Sequence, residues 1–162
     1  INKFYISELI KKSKDLIKSR FDKFNIKVIE NIDDIEILSY QNELFQVILN
    51  LFSNSIDVLS SSQIENKIIY IKIYHDENNL YIEFLDNGGG IKDEFINRVF
   101  EPYFTTKHKS QGTGIGLYMS LQIVTKHLNG EISVKNDTFI ENNIAYFGAK
   151  FTILLPIHPK NS

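Results

Sequence analysis

The chain has 162 residues, 43% of them hydrophobic, enough for one domain with a full core. Eighteen basic and twenty acidic residues leave a net charge of −2, too weak a field to hold nucleic acid or an anionic membrane. There is no Cys, which excludes disulfides, thiolate metal sites and cysteine nucleophiles, and no apolar run reaches membrane-spanning length.

The chain opens on Ile1 rather than Met, as expected of a segment of a longer protein. Residues 3–6 read as a short extended lead-in. Ser7 then reads as the N-cap of a helix whose apolar positions Leu9, Ile10, Leu16, Ile17, Phe21 and Phe24 recur at helical spacing. Residues 26–29 and 35–38 read as two strands joined by a polar turn. A second helix, about 41–59, buries Leu44, Val47, Ile48, Leu51, Phe52 and Leu59 on one side.

Residues 69–74 and 80–85 alternate in character and form an antiparallel hairpin, with Leu80, Ile82 and Phe84 facing away from Tyr81 and Glu83. A loop-rich region, 86–112, follows, with a short helix at about 93–99. The third helix spans about 115–128 and stops at Asn129-Gly130. Residues 131–135 and 145–155 close the chain as strands. Few helices and mostly sequential strand neighbours predict an α+β two-layer sandwich, a largely antiparallel sheet covered on one face.

In the second helix Asn50, Asn54 and Asp57 fall at i, i+4 and i+7, a polar stripe that Glu43 and Gln46 extend backwards. A solvated helix face accounts for that stripe as it stands. Yet Asn is a poor helix-interior residue, because its amide competes for backbone hydrogen bonds. Amide oxygens also complete the shell of a Mg²⁺ ion already held by phosphate.

Asp86 closes an apolar strand and opens Asp86-Asn87-Gly88-Gly89-Gly90. Asp-Asn-Gly is ordinary turn chemistry. Equally, a carboxylate at a strand end can accept a hydrogen bond from an exocyclic amine such as that of adenine. Gly88 and Gly90 would then let the base pass close to the main chain.

Farther on, Phe100, Tyr103 and Phe104 surround Pro102, an arrangement foreign to a helix interior. These aromatics either plug one end of the core or anchor a flap, whose tip residues Thr105, Thr106 and Lys107 offer donors to a polyphosphate. The segment Gly112-Thr113-Gly114-Ile115-Gly116-Leu117 runs into the third helix, where exposed N–H groups suit phosphate. It lacks the Gly-Lys-Ser/Thr ending of a Walker loop, and no βαβ unit surrounds either glycine cluster. His75, His108, His127 and His158 show no metal-ligand spacing.

Taken in order, these segments resemble the ATP-binding domain of bacterial sensor histidine kinases, part of the wider Bergerat-fold family. Residues 46–57 resemble its Asn box, 86–91 its first glycine box, and 98–107 its Phe box and the start of a lid spanning about 101–113. Residues 112–117 resemble its second glycine box and 148–156 its closing strand, so the likeness covers nearly the whole chain.

The resemblance implies a mixed, mostly antiparallel sheet with three helices on one face. It implies ATP and Mg²⁺ as ligands. Asn54 would reach the metal, and Asn50 would be the catalytic position beside metal and phosphates. Asp86 would read the adenine amine, while Gly114, Ile115, Gly116 and Leu117 would hold phosphate. Asp57, Gly88, Gly90, Ile91, Thr105, Thr106, Lys107, Gly112, Thr113 and Thr152 complete the implied nucleotide site.

ATPase members carry a Glu one turn before the metal Asn. Here that position is Asn50, whose carboxamide takes no proton at neutral pH, so efficient hydrolysis is not expected. The resemblance further implies transfer of the γ-phosphoryl group to a His on a separate dimerisation domain, followed by signalling to a response regulator's receiver domain. None of the four His lies in such a context, so the acceptor is expected outside this chain. The domain itself would be cytoplasmic and monomeric when isolated, with no nucleic-acid partner. Two other readings remain open: a Bergerat-fold serine kinase or ATPase, and a degenerate nucleotide-binding scaffold.

Overall fold

A strand, β1 (Asn2–Tyr5), runs directly into the first helix, α1 (Ile6–Lys23), in the computed structural model, which describes residues 1–105 and 114–159. Ser7 is therefore not the N-cap but a first-turn residue. Its backbone N–H and its hydroxyl donate to the two Asp34 carboxylate oxygens at 3.0 and 2.6 Å, so the orphan donor at the helix start is satisfied from a distant loop. Asp34→Ala is expected to cost about 1 kcal/mol, the usual worth of a cap, measurable by urea denaturation. No change in the urea midpoint would show the contact to be idle.

The second strand, β2 (Ile26–Ile32), and the third, β3 (Glu36–Ser39), follow as expected, but they do not pair with each other. β3 pairs antiparallel with β1 in a small two-stranded sheet. β2 instead lies parallel to β4 (Lys67–His75), with Val28 opposite Ile69. A parallel pair needs a crossover, and here it contains the second helix, α2 (Gln41–Ser60).

β4 and β5 (Asn79–Asp86) form the expected hairpin, and β5 pairs with β7 (Ile144–Pro156). β6 (Glu131–Glu141) completes a five-stranded sheet of order β2-β4-β5-β7-β6. The β6–β7 hairpin is longer than expected because its turn is Asn142-Asn143. Both residues have positive φ, 51° and 62°, as a tight hairpin turn requires.

Register aligns Ile71, Phe84 and Phe151, and likewise Ile73, Ile82 and Ile153, on one face of the sheet. Against that face pack Leu9 and Ile10 of α1, Val47, Leu51 and Phe52 of α2, and Val124 from the third major helix. Phe52 meets Phe21 and Phe84 edge-on, at 5.5 and 5.0 Å between ring centres. That last helix starts as an α-helix, Gly116–Gln122, and ends in a π-helical turn, Ile123–His127, where the Leu128 N–H reaches Ile123 O. Asn129 (φ 54°) and Gly130 then stop it, as the sequence indicates.

The opposite face is less open than alternation suggests. Ile68, Leu85 and Phe139 are buried there, and Tyr70 and Tyr146 both stack on Phe139. Beside it Lys150 bonds Asp137 at 2.8 Å and lies 3.8 Å from Glu83, which is only 9% exposed. No helix among the described residues is long and apolar enough to cross a membrane.

Candidate functional site

α2 buries one side and turns Asn50, Ser53, Asn54, Asp57 and Val58 towards a cavity of about 240 Å³. Asp86, at the C-terminal end of β5, and Gly90 and Ile91 beyond it form a second wall. Ala149 and Phe151 of β7 form the floor, and Val99, Phe104, Thr105, Gly114, Gly116 and Leu117 the remaining side. Asn54 and Asp86 thus share one cavity, though 32 positions separate them in the chain (86 − 54).

Asp86 is 2% exposed, and burial pushes its carboxyl up from 3.8 to about 6. Backbone N–H groups of Gly88 (2.8 Å) and Ala149 donate to the carboxylate and work against that rise. The result is an acceptor held out of water in the cavity wall, poised to gain from a donor on a ligand. The backbone here is packed too tightly for side chains. A Cβ on Gly88 would come within 2.5 Å of Val58 Cγ1, and one on Gly148 within 1.8 Å of Asp86 O.

At the other end, Asn50 accepts a hydrogen bond from Gln46 (3.0 Å) and donates to Gly116 O (3.3 Å) and Ser120 Oγ (3.1 Å). It therefore ties α2 to the start of the last helix. Gly114 has φ 74°, and a Cβ there would strike Phe104 O at 2.6 Å. Its own carbonyl accepts from Tyr103 N–H at 3.0 Å. Only glycine suits that crossing. Of the three aromatics around Pro102, Phe104 lines the cavity beneath Arg98 (4.5 Å), Phe100 meets Phe151 edge-on, and Tyr103 is exposed.

The structure thus brings together Asn50, Asn54, Asp57, Asp86, Gly90, Ile91, Thr105, Gly114, Gly116 and Leu117. Gly88 has no room for a side chain beside Val58, and Ile115 provides the N-cap of the last helix; neither is among the lining residues. Thr106, Lys107, Gly112 and Thr113 lie outside the described residues. Thr152 requires correction. It is in register with Glu83 and Ser133, neighbours Phe151, and so points to the sheet face away from the cavity.

Sequence reasoning passed over Ser53, Val58, Ala149 and Arg20. Arg20 of α1 donates to Ser53 Oγ (3.0 Å) and Asp57 Oδ1 (2.9 Å), bringing a guanidinium to the α2 wall. No local pattern marks it; only the packing of α1 on α2 places it there.

A family profile described as histidine kinase-, DNA gyrase B-, and HSP90-like ATPase matches residues 39–159. Sporulation kinase E of Bacillus subtilis (strain 168) is 31% identical over 155 residues, 94% of this chain. The chain spans about a fifth of that relative's length, 19%. Among solved structures, the catalytic domain of histidine kinase ThkA superposes with a TM-score of 0.79 at 26% identity, covering 97% of this chain and 95% of that one. ThkA in complex with response regulator protein TrrA matches with a TM-score of 0.76 at 23% identity, over 96% of this chain and 41% of that one. The matched span takes in the α2 stripe, both glycine segments and the closing strand that together enclose the cavity, and the chain belongs to the histidine kinase-, DNA gyrase B- and HSP90-like ATPase family as a catalytic, ATP-binding domain of the histidine kinase type.

Proposed function

We propose that this chain binds ATP together with Mg²⁺ and, within a longer protein, presents the γ-phosphoryl group to a histidine on a separate dimerisation domain. The observation that carries this reading is the shared cavity, with Asp86 at one end and Asn50, Asn54 and the start of the last helix at the other. Asp86 accepts from the adenine amine, and Gly90 and Ile91 flank the base. Gly114, Gly116 and Leu117, with Ile115 behind them, receive phosphate where helix N–H groups are exposed.

The donor set suits magnesium held jointly with phosphate. Asn54, Asn50 and Asp57, all with oxygen-bearing side chains, line one wall, while the described residues hold no cluster of three His, Cys, Asp or Glu able to cage a metal unaided. Asn54 would hold the ion, which supplies charge neutralisation at the phosphate oxygens. What remains for the protein is positioning. Asn50, held by Gln46, Gly116 and Ser120, fixes the phosphate end of the site and offers no basic group to activate water. Asp57 is engaged by Arg20. Transfer to a second domain is therefore favoured over hydrolysis, and that domain supplies the acceptor.

By analogy with ThkA, whose structure was solved with the response regulator TrrA, the phosphoryl group would pass onward to a response regulator. The domain would act in the cytoplasm, as a monomer when isolated. Calorimetric titration with ATP, with and without Mg²⁺, tests the reading. Wild type is expected to bind more tightly with the metal, and Asn54→Ala to bind equally with and without it. Absence of binding at millimolar ATP would leave a scaffold instead.

A further inference from the structure

The loop that follows Asp86 has no regular secondary structure from Asn87 to Lys92, yet Gly90 and Ile91 within it form a wall of the cavity. Such a wall can discriminate between bases only if something holds it. Asn136, on β6, does so with both ends of its carboxamide. Its Oδ1 accepts from Ile91 N–H at 2.8 Å, and its Nδ2 donates to Ile91 O at 2.7 Å. That side chain pairs with the loop as a neighbouring strand would.

The packing agrees with the hydrogen bonds. Gly90 has φ 84°, and a Cβ there would sit 2.7 Å from Asn136 Oδ1 and 2.9 Å from Phe147 Cε1. The hairpin also accepts the Gly89 N–H at Phe147 O. Asn136 stands opposite Ala149 in the β6–β7 register, and Ala149 both lines the cavity floor and donates its N–H to Asp86. One rung of the sheet thus reaches the acceptor carboxylate on one side and the glycine wall on the other. Asn136 itself does not line the cavity.

We infer that Asn136 is a positioning residue that sets base selectivity: it fixes Gly90 and Ile91 relative to Asp86, so that only a purine with an exocyclic amine in the right place is read. This rests on the nucleotide reading above. A side chain serving stability alone would weaken every nucleotide equally. A positioning role predicts that the loss falls on the base.

The test is competition binding of ATP and GTP to wild type, Asn136→Ala and Asn136→Asp. The ThkA catalytic domain, matched over nearly its whole length, was solved as an isolated domain, which supports using this chain alone. In Asn136→Ala, which removes both hydrogen bonds to Ile91, ATP affinity is expected to fall about tenfold, with GTP affinity unchanged. Asn136→Asp keeps the shape and the acceptor but sets a carboxylate against Ile91 O, and is expected to lose at least as much. Hydrogen exchange at the Ile91 amide, which needs no nucleotide, should quicken in Asn136→Ala, where its acceptor is gone, while Ile71 in the sheet stays protected. Equal losses for ATP and GTP, unchanged ATP affinity in Asn136→Ala, or an Ile91 amide in that variant as protected as in wild type would each overturn the inference. Failure of the wild type to bind ATP at all removes the nucleotide reading, and this assignment with it.

Discussion

Asp86→Asn is expected to cost the domain its nucleotide while making the empty domain more stable. The carboxyl is 2% exposed, and its rise from 3.8 to about 6 reflects the cost of holding a charge out of water. A rise of that size corresponds to about 3 kcal/mol. Between these two values the folded domain keeps a proton that the unfolded chain has released. The favourable contribution of the protonated acid is therefore complete below pH 3.8, declines as pH climbs through 6, and is gone above it.

Removing the charge should accordingly stabilise the domain by up to about 3 kcal/mol at pH 7.5, and by less at pH 5. Urea denaturation at the two pH values measures the difference. The nucleotide fares the other way. Gly88 and Ala149 already direct N–H groups at this side chain, and an amide has only one oxygen to share among them and the adenine amine. A charged hydrogen bond is lost, so affinity for ATP should drop about a hundredfold. A variant that binds like wild type would remove Asp86 from the site; one less stable at pH 7.5 than at pH 5, relative to wild type, would contradict the burial argument.

Gly148→Ala should unsettle fold and site together. The added methyl would lie 1.8 Å from Asp86 O and 2.6 Å from Asp86 C, both backbone atoms that cannot swing aside. β7 must move away from the end of β5, at a cost of about 3 kcal/mol or more. The same shift carries the Ala149 N–H away from the Asp86 carboxylate, so ATP affinity should fall with stability. Gly89→Ala is the matched comparison. Nothing lies within 4 Å of a Cβ there, and only its φ of 91° resists the change, for about 1–2 kcal/mol. Denaturation midpoints showing Gly148→Ala to be the milder of the two would mean that the β5–β7 contact yields more easily than its geometry indicates.

Much of this molecule is written in short stretches of chain. The apolar spacing of Leu44, Val47, Ile48, Leu51 and Phe52 identifies α2 and leaves Asn50, Asn54 and Asp57 on a separate stripe, as found. Alternation in β4 and β5, and the Asn129-Gly130 stop, are equally local signals, since a few neighbouring side chains determine them. The grouping of Asp86, Gly90, Gly114 and Gly116 was legible from the order of the glycine segments along the chain.

Tertiary structure decided what depends on partners distant in sequence. Nothing in β2 or β3 says that one joins β4 in parallel while the other pairs with β1; the crossover through α2 settles that. Nor does Ser7 reveal that its acceptor is Asp34. Thr152 stood next to the right residue, but strand side chains alternate, and Phe151 took the inward position. Arg20 at Asp57 and Asn136 at Ile91 belong to the same class. Local periodicity specifies which face of an element is buried; which polar group meets which across the molecule is set by packing, and no short window of sequence contains it.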